Sequence, residues 1–158
     1  MVSHTVDRLD ADVVRLFADE PRIGVLEASR RLGVARGTVQ ARLDRLSRDG
    51  VIQGWGPVLD PAAIGFPVMA FATLEISQGA GHDVVAEHLS SIPEVLEAFT
   101  ITGSGDMWTR IVARSNADLQ RVLDAVLGFE GIERTSTVIA LATQIRYRVR
   151  PLLDEAVR

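Results

Sequence analysis

The stretch from Ala28 to Gln53, ASRRLGVARGTVQARLDRLSRDGVIQ, predicts two short helices joined by a tight turn. Gly33 stands where such a turn needs a positive φ, and Gly50 ends the second, charged helix. The apolar side chains of this second helix recur at i, i+4 and i+7 and form one stripe that faces a core: Val39, Leu43 and Leu46. The pattern therefore predicts a compact helix pair.

Two further details of the stretch favour a winged helix-turn-helix. Ala28 and Ser29 are small where the two helices must approach closely. Gly50-Val51-Ile52 ends the second helix and starts an extended run. The resulting order of helix, turn, helix and strand is that of a winged helix-turn-helix.

The outer faces of this helix pair are rich in arginine. Between Ala28 and Arg48 there are six Arg and one acid, Asp44, which is expected to pair with Arg48 at i+4 or to accept from cytosine. Cations suit DNA phosphates, and the forked donors of Arg suit base edges in the major groove. An ordinary solvated helix face is the alternative. The candidate DNA-binding residues are Arg31, Arg36, Gly37, Thr38, Gln40, Ala41, Arg42, Arg45 and Arg48.

Within this set, base-reading and phosphate-binding roles can be separated. Arg36 and Gln40 lie one turn apart at the start of the second helix, where Arg can fork onto guanine and Gln can pair with adenine. Gly37 and Ala41 are small enough for a close approach to the groove floor or a thymine methyl group. The expected phosphate-binding residues are Arg31, Arg42, Arg45 and Arg48.

Composition restricts the class of protein. The chain has 158 residues, enough for one domain or two small ones, and its 47% hydrophobic content supports a packed core. The absence of Cys excludes disulfides, thiol catalysis and zinc fingers. The net charge is −4, but residues 1–59 carry nine Arg against eight acids, whereas residues 60–158 carry eight against thirteen. The basic charge thus lies in the part that holds the helix pair.

The sequence predicts no catalytic residue, no metal ligand and no cofactor. His4, His82 and His88 do not form a ligand cluster, and no activated nucleophile or acid/base pair is recognisable. Neither a signal peptide nor a membrane span is predicted, so we expect a cytoplasmic protein without a membrane partner.

A hinge is predicted after the helix pair. An earlier helix is expected from Asp10 to Asp19, with Asp10 as its cap and Pro21 preventing continuation. Residues 51–59 are predicted to form a strand around Trp55, and Pro- and Gly-containing sequence follows it. The predicted boundaries are 1–53 for the winged helix-turn-helix, 54–67 for the strand and hinge linker, and 68–158 for a second domain.

The second half predicts the element order βαββαβ. The predicted strands are 68–77, 95–102, 107–113 and 135–143, the last extended toward Val149, and the helices are 83–91 and a Ser115-capped run to Leu127. This is the ferredoxin-like plan, an antiparallel sheet with both helices on one face, so the chain as a whole is α+β. The other face is bare, and a second copy of the sheet is its simplest cover.

These features together resemble the Lrp/AsnC (feast/famine) family of transcriptional regulators, from about Asp7 to Val149. The resemblance rests on Leu9-Asp10 with Asp12, Arg42-Leu43 with Leu46, Gly50-Val51-Ile52, Ile64-Gly65 and Ser104-Gly105-Asp106. It implies a sequence-specific DNA-binding regulator whose partners are double-stranded DNA and a small-molecule effector, commonly an amino acid. It also implies a homodimer that assembles further, often to an octamer.

The resemblance places the effector between neighbouring C-terminal domains, near the loop between the second and third strands and near the fourth strand. The implied effector-binding residues are Ser104, Gly105, Asp106, Trp108, Thr135, Ser136 and Thr137. Trp108 replaces the second Asp of the family's usual Gly-Asp-x-Asp pattern, so an aromatic wall stands where a partner for an α-amino group is usual.

Simpler structural roles and other functions are alternatives to these assignments. Asp106 can act as a turn residue that bonds backbone, and threonines are common in any strand. A ligand-independent architectural DNA-binding protein and an enzyme on a ferredoxin-like scaffold are the alternative functions.

Overall fold

The computed structural model describes residues 6–158 and divides them into two compact units. The first unit contains the residues up to 57 together with 145–158, and the second contains residues 58–144. The prediction that concerns His4 lies outside the described residues.

Three helices build the core of the first unit: α1 Arg8–Asp19, α2 Val25–Leu32 and α3 Arg36–Arg48. The predicted apolar stripe is confirmed, because Val39, Leu43 and Leu46 are at most 6% exposed. Burying a large apolar side chain stabilises a fold by about 1.5–3 kcal/mol. The stripe therefore fixes which face of α3 stays outside.

Gly33 makes the turn between α2 and α3. Its φ of 67° lies in the left-handed region that the turn was predicted to need. The amide of Val34 donates to the carbonyl of Ser29 at 3.1 Å, which closes the end of α2. Ala28 is fully buried in the same apolar cluster as Val39, so the two helices approach closely where small residues were expected.

The predicted start of α1 is wrong. Asp7 is the N-cap and accepts from the amide of Asp10 at 2.9 Å, while the amide of Asp7 donates to the carboxylate of Asp10 at 3.0 Å. Asp10 therefore occupies the third helical position of a capping box rather than the cap itself. Either aspartate is a good cap, so local sequence did not decide between them.

The predicted strand at residues 51–59 is not formed. A strand needs a neighbour, and the four strands within residues 6–158 all lie in the second unit. Gly54, Gly56 and Pro57 also disfavour a regular strand. Trp55 packs edge-on against Phe17 with ring centroids 5.7 Å apart.

The C-terminal segment 145–158 groups with the first unit, which differs from the predicted boundary of 68–158. The segment contains α6, Pro151–Ala156. Arg150 Nη1 lies 2.7 Å from Asp19 Oδ1, and Asp154 pairs with Arg15. These ion pairs join the segment to α1 across more than a hundred residues of sequence, beyond the reach of local patterns.

The second unit is a four-stranded antiparallel sheet with two helices, in the predicted α+β element order. The sheet order is β2-β3-β1-β4. The elements are β1 Val68–Ile76, α4 His82–Ser90, β2 Val95–Thr100, β3 Met107–Ala113, α5 Asn116–Leu127 and β4 Ile132–Ile139. Its core includes Leu74, Leu89, Ile111 and Val122, which are at most 1% exposed.

Strand β4 begins and ends earlier than the predicted range of 135–143. Its neighbour β1 sets the end, because Ala70 faces Ile139 and the amide of Ala140 donates to the carbonyl of Met69 at 2.9 Å. Since β1 begins at Val68, the later residues have no ladder partner on it. The predicted extension toward Val149 is therefore wrong.

Candidate DNA-binding surface and effector region

The outer face of α3 carries five of the predicted DNA-binding residues. Arg36, Gly37, Gln40, Ala41 and Arg48 are exposed, and Thr38 is half-buried beside them. Across residues 6–158, neither Arg36 nor Arg48 has an ion-pair or hydrogen-bond partner for its guanidinium group. These two side chains therefore offer uncompensated positive charge to an anion.

Arg42 and Arg45 are engaged inside the unit. Arg42 Nη1 donates to Asp10 Oδ1 at 2.9 Å and also to Asp7, and Arg45 donates to the second oxygen of Asp10. Asp10 is fully buried. A buried carboxylate thus compensates the charge of Arg42 and Arg45, and the two side chains hold α3 against α1. Their phosphate-binding role stays a prediction.

The electrostatics of this cluster agree with its geometry. Burial alone raises the pKa of the Asp10 carboxyl, but hydrogen bonds from Arg45, the amide of Asp7 and Arg42 outweigh burial and lower the pKa. The hydrogen bond from Arg42 also lowers the pKa of Asp7. Hydrogen bonds to Asp7 and Asp10 raise the pKa of Arg42 in turn. The cluster is thus fully ionised at neutral pH.

Arg31 is also paired, but at the surface. It forms ion pairs with Glu20 and with Glu27, the latter at 3.3 Å between Nε and Oε1. The hydrogen bonds to Glu20 and then to Glu27 raise the pKa of Arg31. Because all three side chains are exposed, water weakens these pairs, and Arg31 can exchange a carboxylate for a phosphate more easily than Arg45 can.

Asp44 contacts Gln40 and not Arg48, contrary to the predicted i+4 ion pair. Gln40 Nε2 donates to Asp44 Oδ1 at 2.8 Å, and both residues are exposed. The pair lies on the same face of α3 as Arg36. Gln40, which is predicted to bind adenine, and Asp44, the one acidic residue of α3, therefore form a hydrogen-bonded pair.

The loop between β2 and β3 holds Ser104, Gly105 and Asp106. The amide of Asp106 donates to the carbonyl of Leu74 at 2.8 Å, and its Oδ2 accepts from the amide of Ile76 at 2.7 Å. The carboxylate thus binds backbone where the register between β1 and β4 shifts. This resembles the turn role given above as an alternative, except that the backbone belongs to β1. Ser104 is exposed.

Gly105 lets this loop pack directly on β1. Its φ is 100°, and a Cβ added there would overlap the Thr73 methyl group and lie 3.1 Å from the Leu74 carbonyl oxygen. The residue therefore has a structural role whether or not a ligand binds nearby.

The remaining predicted effector residues lie on opposite faces of the sheet. Thr73 is paired with Trp108 on one side and Ser136 on the other, so these three share a face. Thr135 and Thr137 are opposite Leu74 and Ala72, whose buried side chains belong to the core under the helices. A single chain therefore does not bring all three hydroxyl residues of β4 together.

The sheet face away from the helices, here called the open face, carries an aromatic cluster that the sequence analysis missed apart from Trp108. Trp108 stacks on Phe71 with ring centroids 4.9 Å apart and lies 5.9 Å from the ring of Phe99. Phe99 and Val138 are 50% and 61% exposed. The cluster could have been predicted from the sequences of β1 and β3, because every second side chain of a strand lies on the same face of the sheet.

Arg110 lies within this apolar surface. Its Nη2 is 3.1 Å from Glu97 Oε2. Its Nε is buried and, alone among the buried side-chain nitrogen and oxygen atoms of residues 6–158, has no hydrogen-bond partner. A buried donor without an acceptor destabilises the fold. The open face of a single copy therefore lacks a hydrogen-bond acceptor for Arg110 Nε.

No group of three or more His, Cys, Asp or Glu in residues 6–158 is placed to hold a metal ion. In the same range, no helix is both long enough and apolar enough to cross a membrane.

Two family models match the chain, one for each predicted part. A winged helix-turn-helix DNA-binding model matches residues 6–53, and an Lrp/AsnC ligand binding domain model matches residues 69–149. The HTH-type transcriptional regulator FL11 of Pyrococcus furiosus is 31% identical to the chain, over 86% of this chain and 89% of its own.

Solved structures share the fold. The chain resembles Escherichia coli AsnC with a TM-score of 0.85 at 24% identity, over 92% of this chain and 99% of that one. It resembles a feast or famine regulatory protein of Mycobacterium tuberculosis, complexed with L-methionine, with a TM-score of 0.80 at 26% identity over 91% and 97%. The two matched domains in this order show that the chain belongs to the Lrp/AsnC family of transcriptional regulators.

Proposed function

We propose that the outer face of α3 reads DNA from the major groove, with Arg36 on a guanine and Arg48 on a phosphate. The family is one of transcriptional regulators, so the chain is a DNA-binding regulator and not an enzyme. The observation that supports these two roles is that Arg36 and Arg48 are exposed and unpaired over residues 6–158, whereas Asp10 compensates Arg42 and Arg45. Binding to chromosomal DNA would place the chain in the cytoplasm.

Arg36→Ala is expected to weaken binding to the specific site by about 1–3 kcal/mol and to relax preference at one base position. Arg48→Ala is expected to weaken all sequences about equally and to lower the salt slope by about one. Binding of each variant to a specific and a scrambled duplex, titrated over salt concentration, measures both effects.

Arg121→Ala is the control for these variants, because it removes one exposed charge from α5, on the helix side of the second unit. Its affinity should stay close to that of the wild type. Equal losses on both duplexes for Arg36→Ala and Arg48→Ala would contradict the division between base reader and phosphate contact.

We infer that two copies pair through the open face. The exposed Phe99 and Val138, the aromatic cluster around Trp108 and the unsatisfied Nε of Arg110 support this pairing. A second sheet would cover the apolar surface and could supply an acceptor to Arg110. A two-fold dimer would bind a pseudo-palindromic operator. Further assembly to an octamer follows only from the family resemblance.

Val138→Asp should shift the chain from dimer to monomer in sedimentation velocity at micromolar concentration, because it places a charge on the apolar surface of the proposed interface. Val84→Asp is the matched control. Val84 is 52% exposed on α4, on the helix side of the unit, and Val138 is 61% exposed on β4. A dimer that survives Val138→Asp, or dissociates equally with Val84→Asp, would rule out the open face.

We also propose that the second unit senses an amino acid or a related small metabolite near the loop 101–106. The match to the ligand binding domain model supports this, as does the relative that was solved with L-methionine. The exposed Ser104 could bind a carboxylate, and Trp108 could contact an apolar tail. The implied site lies between subunits. Effector binding there is therefore expected to alter the assembly of the subunits and, through it, the affinity for DNA.

A thermal-shift series with the twenty amino acids tests this proposal. A true effector at about a hundred times its Kd stabilises the folded chain by about 2.7 kcal/mol, which corresponds to a rise in Tm of roughly 5–10 °C. Ser104→Ala should reduce the rise without changing the Tm of the free protein. If no amino acid raises the Tm, the ligand-independent architectural role is favoured.

A further inference from the structure

The hydrogen bond between Gln40 and Asp44 restricts what α3 can present to a base. Gln40 Nε2 lies 2.8 Å from Asp44 Oδ1 on the exposed face of the helix. An ionised carboxylate only accepts hydrogen bonds, so the side of the Gln40 amide that faces it must be the NH₂ group. The orientation of the amide is therefore fixed by chemistry.

The free edge of the pair matches adenine. Gln40 retains the acceptor Oε1 and one remaining N–H donor. In the major groove, adenine presents an N6 amino donor and an N7 acceptor, the complement of that edge. Guanine presents two acceptors, O6 and N7, and would oppose both Gln40 Oε1 and the carboxylate of Asp44.

The charge of Asp44 adds to this selectivity. Asp44 is the only acidic residue among the thirteen residues of α3. A carboxylate on a DNA-facing helix repels phosphates, so it weakens binding to DNA in general. Specificity can be increased by penalising the wrong partner as well as by binding the right one. A carboxylate in this position on a DNA-facing helix opposes both the acceptors of guanine and the phosphates of any sequence.

We propose that Gln40 and Asp44 act as one specificity-determining unit that selects adenine and rejects guanine. This inference rests on the proposed insertion of α3 into the major groove. Arg36 lies four residues earlier, about 6 Å along the helix at 1.5 Å per residue. That distance corresponds to about two base steps of 3.4 Å. Each half-site should thus carry a guanine and, about two positions away, an adenine.

Selection from a library of duplexes with a randomised centre tests the unit. The wild-type chain should enrich the guanine and adenine pattern. Asp44→Asn should lower the adenine preference by about fivefold or more, because an Asn partner lets the Gln40 amide take either orientation. The same variant should bind a scrambled duplex more tightly than the wild type. Gln40→Ala should lose the adenine preference but keep the discrimination against guanine that Asp44 supplies.

Asp124→Asn is the matched control. Gln120 Nε2 donates to Asp124 Oδ1 at the same 2.8 Å and the same i, i+4 spacing, on the exposed surface of α5. This variant removes an equal charge and an equal pair away from α3, so its selected sequences should be those of the wild type. Melting curves confirm that each variant is folded.

The outcomes separate this inference from the proposed function. If Asp44→Asn keeps the adenine preference of the wild type, or if Asp124→Asn loses it equally, the unit does not read the base. If the wild type enriches no sequence at all, DNA reading by α3 fails, and this inference fails with it. The inference is supported if Asp44→Asn and Gln40→Ala lose the adenine preference and Asp124→Asn keeps it.

Discussion

Gly105→Ala is expected to destabilise the second unit by about 2–5 kcal/mol. The new Cβ would overlap the Thr73 methyl group and approach the Leu74 carbonyl oxygen. Overpacking costs about 1–3 kcal/mol. The φ of 100° adds about 1–2 kcal/mol for any residue with a side chain. Urea unfolding and the melting temperature measure the loss.

Gly103→Ala separates the two causes. Gly103 has a similar φ of 110°, but a Cβ there would meet nothing within 4 Å. It should therefore lose only the backbone contribution of about 1–2 kcal/mol. If the two variants are equally unstable, the close packing of the loop on β1 contributes nothing, and the structural role assigned to Gly105 is wrong.

Asp10→Ala is expected to destabilise the first unit by about 2–4 kcal/mol. Removing one partner of a fully buried ion pair costs about 3–5 kcal/mol. The cost is lower here because Arg42 and Arg45 are 28% and 37% exposed and water can solvate them in part. The variant also removes the acceptor for the Asp7 amide. Urea unfolding at neutral pH measures the loss.

Asp12→Ala is the control on the same helix. Asp12 pairs with Arg15 at 2.8 Å, but its side chain is 44% exposed. An exposed pair contributes about 0–1 kcal/mol, so this variant should remain close to the wild type. Similar losses for Asp10→Ala and Asp12→Ala would show that burial of the Asp10 charge is not what matters.

The stabilisation by Asp10 should also depend on pH. Its folded-state pKa is lowered, so the stabilisation is fully present above the unfolded-state pKa of about 3.9. It is lost as the pH falls through the lower folded-state pKa. The difference in unfolding free energy between wild type and Asp10→Asn should accordingly shrink on acidification below about pH 4.

The sequence predicted those features that neighbouring residues determine. The buried stripe of α3 and the turn at Gly33 follow from helical periodicity and from one backbone conformation, and both were confirmed. The same holds for the order of strands and helices in the second unit. Each of these elements is determined by residues that lie close together in the sequence.

Two features that the sequence did not reveal depend on partners that are distant in sequence. The carboxylate that binds Arg45 lies 35 residues earlier, so helical periodicity within α3 did not reveal this ion pair. The strand predicted at 51–59 does not form, because the first unit offers no neighbouring strand within residues 6–158. The separation of Ser136 from Thr135 and Thr137 follows from strand alternation, which was not applied to that run.

The placement of the two tryptophans gives each unit its own fluorophore. Trp55 contacts Phe17 in the first unit, and Trp108 contacts Phe71 in the second. The chain contains no other tryptophan. Single Trp→Phe variants would thus let emission spectra follow the unfolding of each unit separately. Trp108 emission should also shift to shorter wavelength when a second copy covers the open face, which provides an optical titration of self-association.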